Sequence, residues 1–483
     1  MRKNNLVKNL LAAMTLLFAS STMISCQGLV DAVIGSEDNP VTPVVTPIVE
    51  NTGATAEEVT ALLEEALSVK AVQEAIASGD PIKITVAGGS STTASNSVIE
   101  IPMTTSTGNK VAIELTFTDA ITTSTSNPLE FVANEGADAA SGESENELVI
   151  TMPDATGLVV NIELPNTTVT LASTGKTVYK TLTAKTAQET LIVDEDVELQ
   201  EAIIKGGSVE IKKGGKVGTL KINNTKDVTN ITMDGNAKTS SENLIDKLVI
   251  AEDAVVLIKK TVPDDMRSTD RLFVTSIEGE GNGATLYPDE CYRAVYEKDG
   301  EFDQSKEIIF FGKMLGVESL KNLTIAPQPM SKEDEEAGCK YQWEELRNLP
   351  ALVENCIFKF EDVVTFSRGV YAKNCDFTDV IGELNFYPNP EDNTPEFIFN
   401  SCKFCTDPFY YPVFLLNDVK GKNVSIIFEN CNLTKEQIEK FQLNIPEEVN
   451  FVVKVTIDDA VYTAVLGERK ESGSCNFTLK LDE

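Results

Sequence analysis

The chain has 483 residues with 75 acidic and 41 basic side chains and no histidine, which gives a formal charge of −34. Its length allows roughly two to four domains, and its 42% hydrophobic and 24% charged side chains are typical of a folded protein. This negative charge argues against nucleic acid as a partner, because phosphates require a basic surface. The missing histidine excludes Ser-His-Asp and Cys-His nucleophiles and every His-ligated metal.

Residues 1–25 have the pattern of an export signal. Arg2 begins a positive segment, and the mostly apolar residues 10–24 are too few to span a bilayer, which needs about 20 apolar residues. The segment ends in Ser25-Cys26, which resembles a bacterial lipoprotein signal, where a small residue precedes the lipidated cysteine. The resemblance implies a membrane anchor through lipid on Cys26, whereas ordinary secretion would leave this cysteine incidental.

Two further features bear on the location of such an anchor. Gln27 rather than Asp follows the cysteine, which by the same resemblance implies the outer membrane. Ser36-Glu37-Asp38 resembles the acidic surface-export signal of Bacteroidota lipoproteins, which implies exposure at the cell surface. A short acidic segment is also typical of a solvated linker, so the periplasmic and outward orientations both stay open.

A tether and a helix are predicted next. Residues 26–54 carry prolines every three or four positions near their centre, a spacing that blocks helix and favours an extended, semi-rigid tether. Thr55 and Glu58 form a capping box, and an apolar stripe at helical spacing follows. The sequence therefore predicts one amphipathic helix over residues 55–79.

Residues 80–165 alternate between apolar and polar side chains. The apolar members of two such runs are Val111, Ile113, Leu115 and Phe117, and Leu158, Val160, Ile162 and Leu164. A period of two indicates strands with one buried face. We expect a small antiparallel β domain here, arranged as a sandwich.

Residues 166–433 contain short strands separated by glycines and, later, an internal repeat. The repeated doublets are Asn355-Cys356, Asn374-Cys375, Ser401-Cys402 and Asn430-Cys431, with Asn322-Leu323 as an earlier relative. Asparagine tolerates a left-handed backbone at a sharp bend, and small cysteines and large phenylalanines at fixed positions would stack as inward ladders. The steps of 19 to 33 residues between doublets indicate loops of unequal length.

This repeat resembles the right-handed parallel β-helix of the pectin-lyase-like superfamily. The resemblance covers residues 166–433, and it implies a fold far more than an activity. A leucine-rich repeat is the rival fold, but the helical half of each unit is absent. The predicted fold class is mostly β, with a small antiparallel domain and a parallel β-helix after one N-terminal helix. Residues 434–483 are predicted to cap the solenoid with a short helix and three strands.

Two motifs match known sites by letter but not by context. Residues 279–284 match the dinucleotide fingerprint, yet the Thr-Leu-Tyr-Pro that follows cannot begin the helix that binds the pyrophosphate. Cys402 and Cys405 form a CxxC, but neither a second CxxC nor a histidine completes a zinc site. We interpret these cysteines as buried packing thiols rather than redox or metal ligands.

Enzymes of the resembled superfamily degrade acidic polysaccharides. Its lyases use Lys or Arg as base with calcium on the substrate carboxylate, which makes Arg293, Arg368 and Lys373 the candidate bases. Asp376 and Asp379 are the candidate calcium ligands, and no other cofactor is expected. Nothing in the sequence brings these side chains to one face, and solvated surface charge is the simpler interpretation.

Aromatic side chains are the candidates for stacking against sugar rings. They are Trp343, Phe386, Tyr387, Phe409, Tyr410 and Tyr411, and the last three lie between repeats, where a loop is predicted. Packing onto the solenoid is the alternative. The hypothesis is therefore a lipid-anchored envelope protein with a non-catalytic binding or scaffold role toward a glycan or a surface protein. A polysaccharide lyase and a purely structural spacer are the rivals.

Overall fold

The structure is a computed structural model and the protein is mostly β. It describes residues 48–50, 60–61, 82–87, 98–102, 111–119, 121–133, 146–233, 244–260, 274–288, 291–298, 301–366, 368–387, 391–405, 413–416, 422–438, 442–444, 450–469 and 474–481. The chain divides into two compact units, Met1–Val197 and Glu198–Glu483.

The N-terminal unit contains two ladders of parallel strands. Ladder A consists of β1 (Ile48–Glu50), β2 (Ile82–Ala87), β4 (Ala112–Phe117), β6 (Asn146–Met152), β8 (Thr167–Ser173) and the end of β9 (Thr177–Val193). Ladder B consists of β3 (Val98–Ile101), β5 (Leu129–Ala133), β7 (Ala155–Glu163) and the start of β9. From β2 to β7 each strand pairs with the next-but-one strand along the chain, so the two ladders alternate there.

The predicted antiparallel domain over residues 80–165 is therefore wrong in its pairing, although its strands are present. In β4 the apolar members of the alternation are buried and the others half-buried, as the period of two requires. Leu115 pairs in register with Ile150, and Ile150 with Leu171, so apolar side chains stack from strand to strand. The same parallel pairing continues past residue 165, the predicted end of the domain. Alternation reports which face is buried and carries no information on strand direction.

The C-terminal unit contains three ladders. Ladder C consists of the first half of β10 (Val197–Ile211), β11 (Lys216–Ile222), β13 (Ile245–Ile250), β15 (Val274–Gly279), β19 (Ser319–Lys321), β22 (Leu352–Glu354), β25 (Val370–Lys373), β28 (Glu396–Asn400), β31 (Asn423–Glu429) and β33 (Asn450–Ile457). Ladder D consists of the second half of β10, β12 (Thr229–Met233), β14 (Val255–Lys260), β16 (Thr285–Tyr287), β20 (Thr324–Ile325), β23 (Ile357–Phe358), β26 (Asp376–Phe377) and β29 (Lys403–Phe404).

Ladder E begins later in the chain. It consists of β18 (Glu301–Lys313), β21 (Lys340–Leu349), β24 (Val363–Phe366), β27 (Glu383–Phe386), β30 (Val413–Leu416) and β32 (Gln442–Asn444). From β18 to β29 the chain visits ladders E, C and D in that order four times. Before β18, the strand β17 (Cys291–Lys298) pairs with it as an antiparallel hairpin.

The bends between ladders C and D use left-handed backbone, as the repeat predicted. Asn322, Asn355, Asn374, Ser401 and Asn430 have φ between 53° and 56°. These are the residues before the repeated Cys or Leu position, so the repeat marks the bend itself. At the earlier bend after β15, a Cβ on the glycine at 279 would lie 2.1 Å from the carbonyl oxygen of Asn322, which only glycine permits.

Phenylalanine fills much of the core in the C-terminal unit. Phe377 stacks on Phe358 at 4.6 Å between ring centroids and on Phe404 at 5.6 Å, and all three are buried. A second stack joins Phe399 to Phe428 at 5.4 Å. The predicted inward ladder of phenylalanines is confirmed. Because these positions are in register on neighbouring parallel strands, the rings meet face to face.

Residues 434–483 contain the predicted helix and the three predicted strands, together with β32, which was not predicted. The helix α2 (Lys435–Ile438) follows α1 (Lys332–Glu336) in the chain, and Thr434 and Gln437 cap it by reciprocal hydrogen bonds of 2.8 and 3.3 Å. Antiparallel strands β34 (Ala460–Arg469) and β35 (Ser474–Leu481) join the last strands of ladders C and E.

The last strand of ladder D, β29, is bonded at its edge by a side chain. The N–H of Phe404 donates to the Oδ1 of Asn432, and the Nδ2 of Asn432 donates to the C=O of Phe404. One side chain thus pairs the edge of β29.

The signal, the tether and most of the predicted helix lie outside the described residues. Only Thr60 and Ala61 of residues 55–79 are described, and both are helical. Cys26 lies outside as well, so its lipidation stays a prediction. Among the described residues, no helix has the length and apolar character needed to cross a bilayer.

Candidate functional site

The repeated asparagines form a ladder of side-chain amides at the C–D bend. The Nδ2 of Asn355 donates to the Oδ1 of Asn322 at 2.8 Å, and the Nδ2 of Asn374 donates to the Oδ1 of Asn355 at 3.1 Å. These amides are exposed, but each bonds its neighbour in the ladder and supports its left-handed backbone. The ladder explains the repeat as architecture rather than chemistry.

The repeated cysteines are free thiols directed into the core. Cys356, Cys375 and Cys402 are buried and Cys431 is half-buried, and the Sγ of each donates to backbone carbonyls at 3.3 to 3.5 Å. Burial raises the pKa of Cys356, and burial also raises the pKa of Cys431 to about 11. The Cys375–Cys402 hydrogen bond lowers the pKa of Cys375 and raises that of Cys402.

The raised pKa values of Cys356, Cys402 and Cys431 keep these thiols protonated at neutral pH, which fits the predicted buried packing ladder. Cys405, the second residue of the CxxC, is also a buried free thiol. The dinucleotide motif is followed by the strand β16 rather than by a helix, which confirms its rejection.

The candidate lyase residues occupy separate places. Lys373 is exposed at the end of β25 in ladder C, beside Glu354 in register, and Arg368 lies half-buried in the turn that precedes this strand. Arg293 lies in β17, where its backbone pairs with Ile308. The candidate bases thus lie on three different segments.

The candidate calcium ligands each bond within the chain. The Oδ1 of Asp376 accepts hydrogen bonds from the N–H of Thr378 at 3.0 Å and from its hydroxyl at 2.6 Å. The Oδ2 of Asp379 lies 2.7 Å from the Nζ of Lys359. Among the described residues, no group of three or more Cys, Asp or Glu side chains has a geometry that would hold a metal ion.

Two of the aromatic candidates lie on the outward face of ladder E. Trp343 and Tyr387 each keep 38% of their surface exposed, whereas Phe386 is buried in the core. Phe409, Tyr410 and Tyr411 lie outside the described residues.

An ion pair that sequence reasoning missed connects these aromatics. Glu345 is 7% exposed, and its Oε1 and Oε2 accept hydrogen bonds from the Nε and Nη2 of Arg347 at 2.6 and 2.7 Å. The indole Nε1 of Trp343 also donates to Glu345 Oε2, at 3.3 Å. The guanidinium Cζ lies 5.1 Å from the ring centroid of Phe311, within cation–π range.

Tyr387 directly follows β27, which β24 separates from β21 in ladder E. The pKa of Arg347 is raised, first by its hydrogen bonds to Glu345 and then by the charges of Glu345 and Tyr387. We call the set Phe311, Trp343, Glu345, Arg347 and Tyr387 the aromatic patch. The spacing of Trp343, Glu345 and Arg347, two residues apart in β21, is the signal that could have found it, because such residues share one face of a strand.

Two buried polar atoms lie on the same ladder beside the patch. Thr365 and Asn385 pair in register, and Asn385 precedes Tyr387 by two residues. Both are at least nine-tenths buried, and in the structure as described neither Thr365 Oγ1 nor Asn385 Oδ1 has a hydrogen-bond partner. Such atoms are rare in folded proteins because each carries an uncompensated loss of hydration.

Comparison with known proteins gives no relative. No protein-family model, no curated protein and no solved structure matches the chain. The patch and the ladders therefore have to be interpreted from their own geometry.

Proposed function

We propose that the chain is a non-catalytic glycan-binding protein of the bacterial cell envelope, held by lipid on Cys26. The observation that carries the binding proposal is the aromatic patch, in which the exposed Trp343 hydrogen-bonds the Glu345–Arg347 pair and the exposed Tyr387 follows β27 of the same ladder. Aromatic rings that keep more than a third of their surface exposed can stack on the apolar faces of sugar rings. A rigid strand ladder holds the two rings at a fixed separation.

We infer further that the strands follow a right-handed parallel β-helix. The repeated E–C–D visiting order, the left-handed residue at each C–D bend and the stacked Phe377 column support this path. Parallel crossovers are right-handed with few exceptions, which supports the hand. A long stacked surface of this kind would suit an extended polymer, because the same spacing recurs along it.

Binding is tested with the full-length chain in detergent on a panel of immobilised polysaccharides. We expect retention on at least one glycan, weakened about tenfold by Trp343→Ala, as the loss of one stacking aromatic implies. Tyr371→Ala is the matched control, since Tyr371 is also an exposed strand aromatic but lies on ladder C. Equal loss in both variants, or retention on no glycan, would overturn the proposal and favour a protein partner or a spacer.

Two further measurements address catalysis and the anchor. Release of shorter chains during the incubation would favour the lyase alternative, and separate substitutions of Arg293, Arg368 and Lys373 would then identify its base. Incorporation of radiolabelled fatty acid that disappears in Cys26→Ala is the expected result for a lipoprotein. Labelling that persists in this variant would contradict the anchor.

A further inference from the structure

The charge balance of the aromatic patch restricts the class of glycan that it can take. Recognition of a carboxylate or a sulfate relies on a free guanidinium fork with two parallel N–H donors. Arg347 already directs the Nε–Nη2 edge of this fork to both oxygens of Glu345. An anionic ligand would have to compete with an intramolecular carboxylate at 2.6 and 2.7 Å.

Displacing Glu345 would be unfavourable for a second reason. The Glu345 side chain is 9% exposed, whereas that of Arg347 is 37% exposed. A carboxylate this deeply buried that lost its partner would remain as an unpaired charge, the most unfavourable state for an ion pair of this kind. The pair is therefore a fixed neutral unit rather than an anion receptor.

The groups of the aromatic patch that remain available to a ligand are an uncharged ring face and a guanidinium that is already paired with Glu345. Trp343 commits its indole N–H to Glu345, so its exposed ring face is what it offers. Arg347 keeps Nη1, which makes no hydrogen bond among the described residues, as a donor to a hydroxyl oxygen. Apolar ring faces with a few directed donors match a sugar that carries hydroxyl groups and no charge.

The net negative charge of the whole chain also disfavours the binding of anionic glycans. With 75 acidic against 41 basic side chains, the long-range field of the protein repels polyanions. A local basic groove could overcome this repulsion, but Glu345 cancels the charge of Arg347 where the patch would need it.

We propose that the aromatic patch binds uncharged polysaccharides and discriminates against uronate-containing or sulfated ones, a specificity set by Glu345 holding Arg347. This proposal rests on the glycan-binding function proposed above. It makes Glu345 a positioning residue, because it acts on the ligand through Arg347.

The test compares immobilised neutral glycans, such as a mannan, a xylan and a β-glucan, with polygalacturonate and a sulfated glycan. The full-length chain should be retained by a neutral glycan at low and high salt alike, because screening does not weaken stacking or uncharged hydrogen bonds. Glu345→Gln should release the charge of Arg347 and raise retention on polygalacturonate by about tenfold in a salt-sensitive manner. Tyr371→Ala should change neither the retention on neutral glycans nor the retention on polygalacturonate.

Each outcome bears on a different part of the proposal. Preferential, salt-sensitive retention of the unaltered chain on an anionic glycan would overturn the neutral specificity while the glycan-binding function stands. Retention on no glycan of either class would overturn the binding function itself. If Glu345→Gln fails to fold, as circular dichroism would reveal, the salt response of the unaltered chain still decides between neutral and anionic ligands.

Discussion

The N-terminal unit and the C-terminal unit both form ladders of parallel strands, but from different sequence patterns. In the N-terminal unit, aliphatic side chains such as Leu115 and Ile150 stack in register without a visible repeat. In the C-terminal unit, a repeat of Asn, Cys and Phe recurs at the same bend and the same core positions. Both form parallel ladders, yet only the second pattern predicted parallel pairing.

Sequence signals differ in how much they report about strand direction. Alternation of apolar and polar residues is identical in parallel and antiparallel strands with one buried face. A recurring left-handed bend carries more information, because it requires the chain to turn the same way after each strand.

Removal of core side chains should be more damaging in the aromatic column than in the aliphatic ladder. We expect Phe377→Ala to lower the free energy of unfolding by roughly 3–5 kcal/mol, and the aliphatic Leu148→Ala by about 2–4 kcal/mol, since each leaves a cavity. Both side chains are at most 1% exposed. Denaturant unfolding measures this, with Tyr371→Ala as a surface control; a smaller loss for Phe377→Ala than for Leu148→Ala would refute the expected ranking.

Alkaline pH should weaken the C-terminal unit before the N-terminal one. Burial raises the pKa of Cys431 from 9.0 to about 11, so its contribution to stability is complete below pH 9 and is lost as the pH rises toward 11. The linkage slope is at most about 1.4 kcal/mol per pH unit for each such thiol. In the N-terminal unit, burial raises the pKa of Tyr179 from 10.0, so the corresponding loss begins only above pH 10.

Hydrogen exchange followed by mass spectrometry can measure the two units separately between pH 8 and pH 10.5. Cys431→Val should reduce the alkaline loss in the C-terminal unit and leave the N-terminal unit unchanged. Simultaneous loss of protection in both units from pH 9 would contradict the assignment to buried thiols.

Substituting glycine for an asparagine with left-handed backbone should affect stability differently in the two units. Asn166 and Asn374 both have φ 53°, so alanine at either position should cost about 1–2 kcal/mol through backbone strain. Glycine removes this strain. We expect Asn166→Gly to be nearly neutral, whereas Asn374→Gly should keep a loss of about 0.5 kcal/mol because its amide bonds Asn355. Thermal unfolding of the four variants checks this; full recovery in Asn374→Gly would mean that the amide ladder adds no stability.

Two buried threonines should give contrasting effects. The hydroxyl of Thr177 in the N-terminal unit donates to the carbonyl of Pro153 at 2.9 Å, so Thr177→Val should cost about 1–2 kcal/mol. The hydroxyl of Thr365 has no partner among the described residues, so Thr365→Val should be neutral or slightly stabilising. Denaturant unfolding compares them, and a loss of stability in Thr365→Val would point to a bound water or ligand at this hydroxyl.

The candidate site was predicted only in part. Trp343 and Tyr387 were selected because exposed aromatics suit sugar rings, and the structure gives both an outward face. The contacts of Trp343, Glu345 and Arg347 were not predicted, and Tyr387 shares their ladder only because β24 pairs with both β21 and β27. Arg293, Arg368 and Lys373 stay predictions, because positions along the chain do not fix the distances between side chains on different strands.

The sequence by itself determined the β content, the buried faces, the left-handed bends, the thiol and phenylalanine columns, and the helix and strands of the cap. Each of these follows from local steric preference or from a short period, which a linear pattern records directly. The parallel pairing of the N-terminal unit, the register that stacks Phe377 on Phe358, and the placement of Trp343 and Tyr387 on one ladder come from the tertiary structure alone. These three features depend on hydrogen bonds between strands that lie far apart in the chain, and side-chain packing determines which strands pair.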